Sequence, residues 1–232
     1  MARKLKSLTI FFPVLNDSRA IADLIHDTFE VAPRVAHRFD VLVIDDGSTD
    51  ETAAVLQQLR QRYSELRIAQ HVKNLGYGTT LRDGISAAKG EFVFYTDGDG
   101  QYDVKELPLL VKQLDQGVDF VNGTKITRHD SLVRIVVGTI YQKVMKRLFQ
   151  LPIDDVDCDF RLMRTKLIQK LPLKSSSGAI GAELVHMANG VGAQFRQVPV
   201  HHYPRRYGRS QFFRIRALLT TCSEVMALIR GR

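Results

Sequence analysis

An α/β fold, with a mainly parallel sheet and helices on both of its faces, is predicted by three features of this sequence. Apolar runs rich in β-branched and aromatic residues recur along the chain. Helical patterns separate them, and several of the runs lack the strict alternation of a half-solvated strand, which points to burial on both faces. Strand and helix alternating at this spacing build right-handed parallel β-α-β units, a Rossmann-like arrangement.

The strands come in order. SLTIFFPV (7–14), FDVLVIDD (39–46), LRIAQHV (66–72), EFVFYTD (91–97), DFVNGTK (119–125) and QFRQVPVHHY (194–203) are the six apolar runs. The helices fall between them. Residues 17–31 set Ile21, Leu24, Ile25 and Phe29 on one stripe, after a cap at Asp17 or Ser18. Residues 49–63 follow Ser48, which forms a capping box with Glu51. Thr79–Lys89 and Lys105–Gln116 continue the alternation, with Asp103 as the cap of the latter. Beyond residue 125 strand signals thin out and arginines multiply. A segment over 131–149 places Val133, Val137, Ile140, Val144 and Leu148 near one face, with Arg134, Lys143, Lys146 and Arg147 elsewhere. Such a basic amphipathic helix either packs on the domain or rests in an anionic membrane interface. RALLTTCSEVMALIRGR closes the sequence as an amphipathic helix.

At 232 residues, 44% of them hydrophobic, the chain can build one large core, and no linker or repeat divides it. A single domain over 1–232 is expected, with 1–125 and 126–232 as its two halves. Lys and Arg total 33 against 25 Asp and Glu, a formal +8, so an anionic partner is expected. The basic residues are not interleaved with an aromatic platform and acids crowd the predicted ligand edge, which argues against nucleic acid. The two cysteines, Cys158 and Cys222, lack the spacing of a zinc site or a disulfide framework and read as small buried hydrophobes in a reducing compartment. MARKLKSLTIFFPV reads as a first strand, its apolar run interrupted by Pro13, and no uncharged apolar run reaches the roughly 18 residues of a membrane span. A cytoplasmic location is expected, including the cytoplasmic face of the membrane.

In parallel sheets ligands bind beyond the carboxyl ends of the strands. That rule selects Pro13–Asp17, Asp45–Asp50 and Asp97–Asp103, all acidic. VIDDGSTDE delivers Asp45 and Asp46 into a turn, where a carboxylate either caps a helix or accepts hydrogen bonds from a base or ribose. In NLGYGTTLRDG, Gly76 and Gly78 permit close backbone approach, and Lys73 and Arg82 are candidates to face phosphates. YTDGDGQYD sets Asp97 and Asp99 on an extended segment with Gln101 beyond. These hard oxygen donors suit Mg²⁺ or Mn²⁺, which would also relieve the repulsion between the carboxylates.

FPVLND, VIDDGSTDET, NLGYGTTLRDGI and TDGDGQYD, in this order and spacing over the first 110 or so residues, together resemble the family two glycosyltransferases of the GT-A fold. Within them the resemblance is strongest to the polyprenyl-phosphate sugar transferases typified by dolichol-phosphate mannose synthase. VDCDFRLMR and RRYGRSQF resemble later segments of the same family. The resemblance implies a metal-dependent, inverting transfer of a hexose from a GDP- or UDP-linked donor to a polyprenyl (dolichyl or undecaprenyl) phosphate. Pro13, Leu15, Asp17 and Asp46 would lie near base and ribose. Asn74, Gly76, Arg82, Asp97 and Gly98 would line the rest of the donor, with Gly208 and Ser210 closing over the phosphates. Asp97, Asp99 and Gln101 would hold the metal, and Asp99 and Arg205 would carry the chemistry. Lys125, Arg128 and Arg134 would meet the acceptor phosphate. A membrane partner protein or peripheral membrane contact would then bring the lipid within reach.

Three departures bear on the acceptor. GAELVHMA has Glu183 but Leu184 where many relatives with sugar acceptors carry a second acid. A phosphate acceptor is already a nucleophile and needs no base. The alternative acceptor is a soluble or polymer-bound sugar hydroxyl, with Glu183 as the base. Lys125 stands where Arg is frequent among these relatives, and Cys158 and Asp159 stand where small residues are usual.

Overall fold

The computed structural model describes residues 4–114, 117–126, 132–205, 207 and 215–230; the side chains of 132–137, 139, 141 and 215–218 are outside that description. The elements alternate as the apolar pattern requires: β1 (Leu8–Val14), α1 (Ile21–Val35), β2 (Phe39–Asp45), α2 (Thr52–Arg62), β3 (Leu66–Gln70), α3 (Tyr77–Ala87), β4 (Phe92–Thr96), α4 (Leu107–Val111) and β5 (Phe120–Lys125). Then follow α5 (Leu132–Phe149), β6 (Phe160–Arg164), α6 (Thr165–Ile168), α7 (Ile180–Gly190), β7 (Phe195–Val200) and α8 (Ile215–Arg230).

One seven-stranded sheet runs β3-β2-β1-β4-β6-β5-β7. All its ladders are parallel except those of β6, which is antiparallel to both β4 and β5. The chain winds outward from β1 to β3 and then restarts on the other side of β1 with β4, so the crevice between the ends of β1 and β4 is the point where strand order reverses. That is where a ligand fits in a doubly wound sheet.

Each face of the sheet is covered by helices. Leu8, Ile10 and Phe12 of β1 join residues of α1 and α4 in one apolar layer, while Phe11 turns to the other with residues of α3, α5 and α7. The burial of β1 on both faces explains its unbroken apolar run.

Several local expectations are corrected. β6 lies within VDCDFRLMR, a stretch whose five-residue strand is too short to announce itself by periodicity. α1 starts at Ile21, and neither Asp17 nor Ser18 caps it through a side chain, because the Asp17 carboxylate is committed to a cation. Ser48 and Glu51 form no capping box: the Ser48 hydroxyl accepts from the Asn16 amide at 2.9 Å, and Asp50 receives the Thr52 amide at 2.9 Å instead. The expected helix over 105–116 is α4 alone, preceded by a 3-10 turn that Asp103 does cap by accepting from the Lys105 amide at 2.9 Å. On α5 the core takes Met145 and Phe149, while Ile140 and Val144 are 58% and 46% exposed, so the buried stripe is rotated from the expected one. Val133 and Val137 lie outside the described side chains. Cys158 is buried as expected, but Cys222 is exposed on α8.

Candidate active site

Three strand ends build the site. At the end of β1, Pro13 accepts the Gly98 amide at 3.2 Å, which fastens the loop after β4 to the loop after β1. The Leu15 amide donates to Asp17 Oδ2 at 3.3 Å and the Asp17 amide donates to the Thr52 hydroxyl at 3.1 Å, so the 15–17 turn is held against the start of α2.

At the end of β2 the Asp46 carboxylate organises the turn before α3. It accepts from the Leu75 and Gly76 amides at 2.8 and 3.0 Å, and His71 Nδ1 lies 2.7 Å away. Asn74 Oδ1 takes the Gly76 amide as well, at 3.0 Å. Gly76 sits at φ +96°, and a Cβ there would lie 2.5 Å from the Ser176 carbonyl oxygen, so only glycine fits.

The loop after β4 carries the acids. Asp97 Oδ1 accepts from the Tyr77 hydroxyl at 2.8 Å. Asp99 Oδ1 accepts from the Gln101 amide at 3.0 Å, and Gln101 Nε2 donates to the Tyr203 carbonyl at 3.1 Å, leaving Oε1 as the side chain's acceptor. The Tyr203 amide donates to the Gln101 carbonyl at 2.8 Å, and Tyr102 pairs with His202. This short zipper turns the chain after β7 back over the site and delivers Arg205, whose Nη2 lies 2.5 Å from Asp17 Oδ1 and whose Nη1 lies 3.7 Å from Asp99 Oδ2.

A fifth acid completes the rim. Asp159 immediately precedes β6, and the register Tyr95↔Arg161, Thr96↔Phe160 carried one residue further sets it opposite Asp97. Its Oδ1 accepts from the Tyr95 hydroxyl at 3.1 Å and lies 4.0 Å from Arg161 Nη2. Arg161 is fully buried and donates to the carbonyls of Cys158, Gly181 and Val156.

The electrostatics follow from that crowding. Burial first, then Asp159 and Asp99, push the Asp97 carboxyl well above its ordinary range. Burial raises Asp99 to about 6, against the pull of Arg205. Asp17 and Asp159 are raised by burial too, each offset by its arginine. Carboxylates gathered with too little positive charge to balance them are what a divalent cation answers. The donor set fits one: Asp97 Oδ2 has no hydrogen-bond partner among the described residues, Asp99 faces the same edge, and Gln101 Oε1 adds a neutral oxygen. Among the described residues no three acids, histidines or cysteines form a ready cage, so a cation here would complete its shell from the ligand.

Other expected residues stand elsewhere. The Arg82 guanidinium donates to the carbonyls of Leu173 and Lys174 at 3.4 and 3.1 Å and is therefore a structural tie rather than a phosphate ligand. Glu183 is 1% exposed, and its two oxygens accept the Lys174 and Ser175 amides at 2.9 and 2.8 Å, which leaves no place for it as a base. Lys125 Nζ donates to the Asp157 carbonyl at 2.7 Å and pairs with its carboxylate, so it is not free to meet an acceptor phosphate. Arg128, Gly208, Ser210 and the side chain of Arg134 lie outside the described residues. Sequence reasoning missed Tyr77, Tyr95 and Arg161 as partners of the acids, because only the pairing of β4 with β6 and the docking of α3 bring them together. Asp159 was visible as an unusual residue but not as a neighbour of Asp97.

Acids at the switch point of a doubly wound α/β sheet, with an arginine folded over them, mark a ligand site beyond the strand ends. Glycosyl transferase family 2 matches over residues 9–172, and the chain belongs to that family; it is a glycosyltransferase. It is 28% identical over 231 residues to the undecaprenyl-phosphate 4-deoxy-4-formamido-L-arabinose transferase of Pseudomonas savastanoi pv. phaseolicola, a match covering 97% of this chain and 67% of that protein. The enzyme of the same name from Salmonella choleraesuis is 27% identical over 228 residues, covering 95% and 68%. Among solved structures, mannosyl-3-phosphoglycerate synthase from Rubrobacter xylanophilus superposes with a TM-score of 0.73 at 17% identity, covering 98% of this chain and 74% of that one. A mannosyltransferase from Pyrobaculum calidifontis, solved with GDP-Man and Mn²⁺, gives 0.67 at 20% identity, covering 97% and 65%. At such identities the likeness speaks to the GT-A fold.

Proposed function

We propose that this glycosyltransferase moves a sugar, with inversion, from a UDP- or GDP-linked donor to a polyprenyl phosphate. The observation that carries the reading is the convergence of Asp17, Asp97, Asp99 and Arg205 on one crevice between β1 and β4. Asp97, Asp99 and Gln101 would hold Mg²⁺ or Mn²⁺. When bound, such a cation supplies Lewis-acid stabilisation of the charge that grows on the leaving nucleoside diphosphate.

The chain's own groups do the rest. The backbone of Pro13–Asp17 and the turn held by Asp46 form the nucleoside end of the crevice. Arg205 exchanges its carboxylate partners for the donor's phosphates and adds positive charge where negative charge develops. Inversion needs a single displacement, and a phosphate acceptor attacks without surrendering a proton. The burial of Glu183 supports that acceptor class over a sugar hydroxyl, since the base candidate is committed to backbone amides. Similarity to two undecaprenyl-phosphate sugar transferases supports the same acceptor class. Arg128 and Arg134 remain the proposed acceptor-phosphate contacts.

Among the described residues no helix is long and apolar enough to cross a membrane. Contact with the bilayer that holds the acceptor would come through α5, where exposed Ile140 and Val144 stand beside exposed Lys143, Lys146 and Arg147. We place the enzyme at the cytoplasmic face of that membrane.

The test is transfer by purified protein from UDP- and GDP-sugars to undecaprenyl phosphate, with and without Mn²⁺. Product is expected only when lipid phosphate and cation are both present. Transfer that survives chelation, or that proceeds equally well to a soluble alcohol, overturns the reading.

A further inference from the structure

We propose that Asp159 is a specificity-determining residue of the donor site, accepting a hydrogen bond from a hydroxyl or N–H of the transferred sugar. The inference rests on the donor-site reading above and deepens it.

Strand order supplies the first argument. Along the ligand edge of the sheet the neighbours are β2, β1, β4 and β6, each about 4.8 Å from the next. They present Asp46, then Pro13–Asp17, then Asp97 and Asp99, then Asp159. A nucleotide-sugar whose nucleoside lies at β1 and β2 and whose diphosphate lies over β4 extends its sugar toward β6. Asp159 is the acid at that end.

The second argument is how the side chain is held. Its Oδ1 is fixed by the Tyr95 hydroxyl at 3.1 Å and faces the Arg161 guanidinium at 4.0 Å. Arg161 cannot swing away, because three backbone carbonyls hold it in full burial. These contacts account for Oδ1 only. Oδ2 has no hydrogen-bond partner among the described residues, and the side chain is 22% exposed at the site. A carboxylate set opposite another across an antiparallel pair costs stability, and Arg161, 4.0 Å from Oδ1, offsets that cost without hydrogen-bonding Oδ2.

The third argument removes the other ligands. Asp159 Oδ1 is engaged by the Tyr95 hydroxyl and faces Arg161, which sets it apart from the Asp97 and Asp99 pair; among the described residues no three acids are grouped to share a cation. An acceptor phosphate would be repelled by it. An ionised carboxylate only accepts hydrogen bonds, and with the ribose and base at β1 and β2 the part of the donor that offers them at the β6 end is the transferred sugar.

Calorimetry in Mn²⁺ with UDP, GDP, their hexose conjugates and a set of monodeoxy-sugar donors tests this, using wild type and Asp159→Asn. The variant should bind the bare nucleoside diphosphate within about twofold of wild type. It should bind the nucleotide-sugar about 10- to 100-fold more weakly, the range of a hydrogen bond to a charged group. One deoxy donor should lose a similar factor with wild type and nothing further with the variant. A parallel loss for bare nucleoside diphosphate would make Asp159 a cation or folding residue and overturn the proposal. Should Asp159→Asn fail to fold, the deoxy series on wild type decides alone: no deoxy position with a loss near tenfold overturns it. Wild type that binds neither UDP nor GDP defeats the donor-site reading itself, whereas normal nucleoside diphosphate binding with indifference to the sugar defeats only the role of Asp159.

Discussion

Asp99 is the residue where structure and chemistry press hardest against each other. Burial raises its carboxyl to about 6, so the folded protein holds a proton there more tightly than the unfolded chain does. Replacing it with Asn removes the buried charge and most of the affinity for a cation. In metal-free buffer near pH 7.5, Asp99→Asn should melt no lower than wild type, while Mn²⁺ binding read by calorimetry should weaken at least tenfold; unchanged Mn²⁺ binding would contradict the site. Glu183 makes the opposite case. Its oxygens serve two backbone amides in a buried corner, so Glu183→Gln leaves one amide badly served and should cost about 1–3 kcal/mol. A lowered melting temperature with turnover within about twofold of wild type is expected, and a collapse of turnover in a normally folded variant would restore it as a base.

At the scale of elements, α5 and α8 divide their apolar residues between core and surface. Met145 and Phe149 pack under the sheet, whereas Ile140 and Val144 face outward. Met145→Ala should therefore destabilise by about 2–5 kcal/mol in denaturant unfolding. The pair Ile140→Asp and Val144→Asp should leave stability nearly unchanged and reduce sedimentation with vesicles containing anionic lipid; undiminished sedimentation would free α5 from the membrane role. α8 is docked through a polar clasp. Glu224 accepts from the amides and hydroxyls of Ser176 and Ser177, and this hydrogen bonding, against the effect of burial, holds its carboxyl below the usual range. The same serine segment touches Gly76 and Gly78 at the head of α3. The donor turn and the last helix thus lean on one loop.

For the molecule as a whole, the acids at the switch point link stability, protons and metal. Because the folded pKa values of Asp17, Asp97, Asp99 and Asp159 are raised, their contribution favours the folded state at low pH. For Asp99 that contribution is lost as pH climbs from about 4 through about 6. A cation must displace the Asp99 proton at pH 5 but finds that carboxylate largely ionised at pH 7.5. The rise in melting temperature on adding Mn²⁺ should accordingly be larger at pH 7.5 than at pH 5, and equal rises at the two values would contradict the linkage.

Much of this was legible in the residues themselves. Unbroken apolar runs marked six strands because a parallel strand is buried on both faces, and the rule that ligands sit beyond strand ends singled out Asp17, Asp46, Asp97 and Asp99 without any coordinates. β6 was not legible, being short, antiparallel and partly charged. With it went the pairing that sets Asp159 opposite Asp97 and Arg161 opposite Tyr95. Nor could spacing tell that Arg82, Lys125 and Glu183 spend their charges on backbone groups and on Asp157, since a polar side chain's partner depends on which distant segment folds against it. The sequence by itself determined the layers, the strand ends and the acids they carry, because periodicity and turn chemistry act over a few residues. Only the tertiary structure decided which of those charged groups face the crevice, because that choice is made by contacts between segments far apart in the chain.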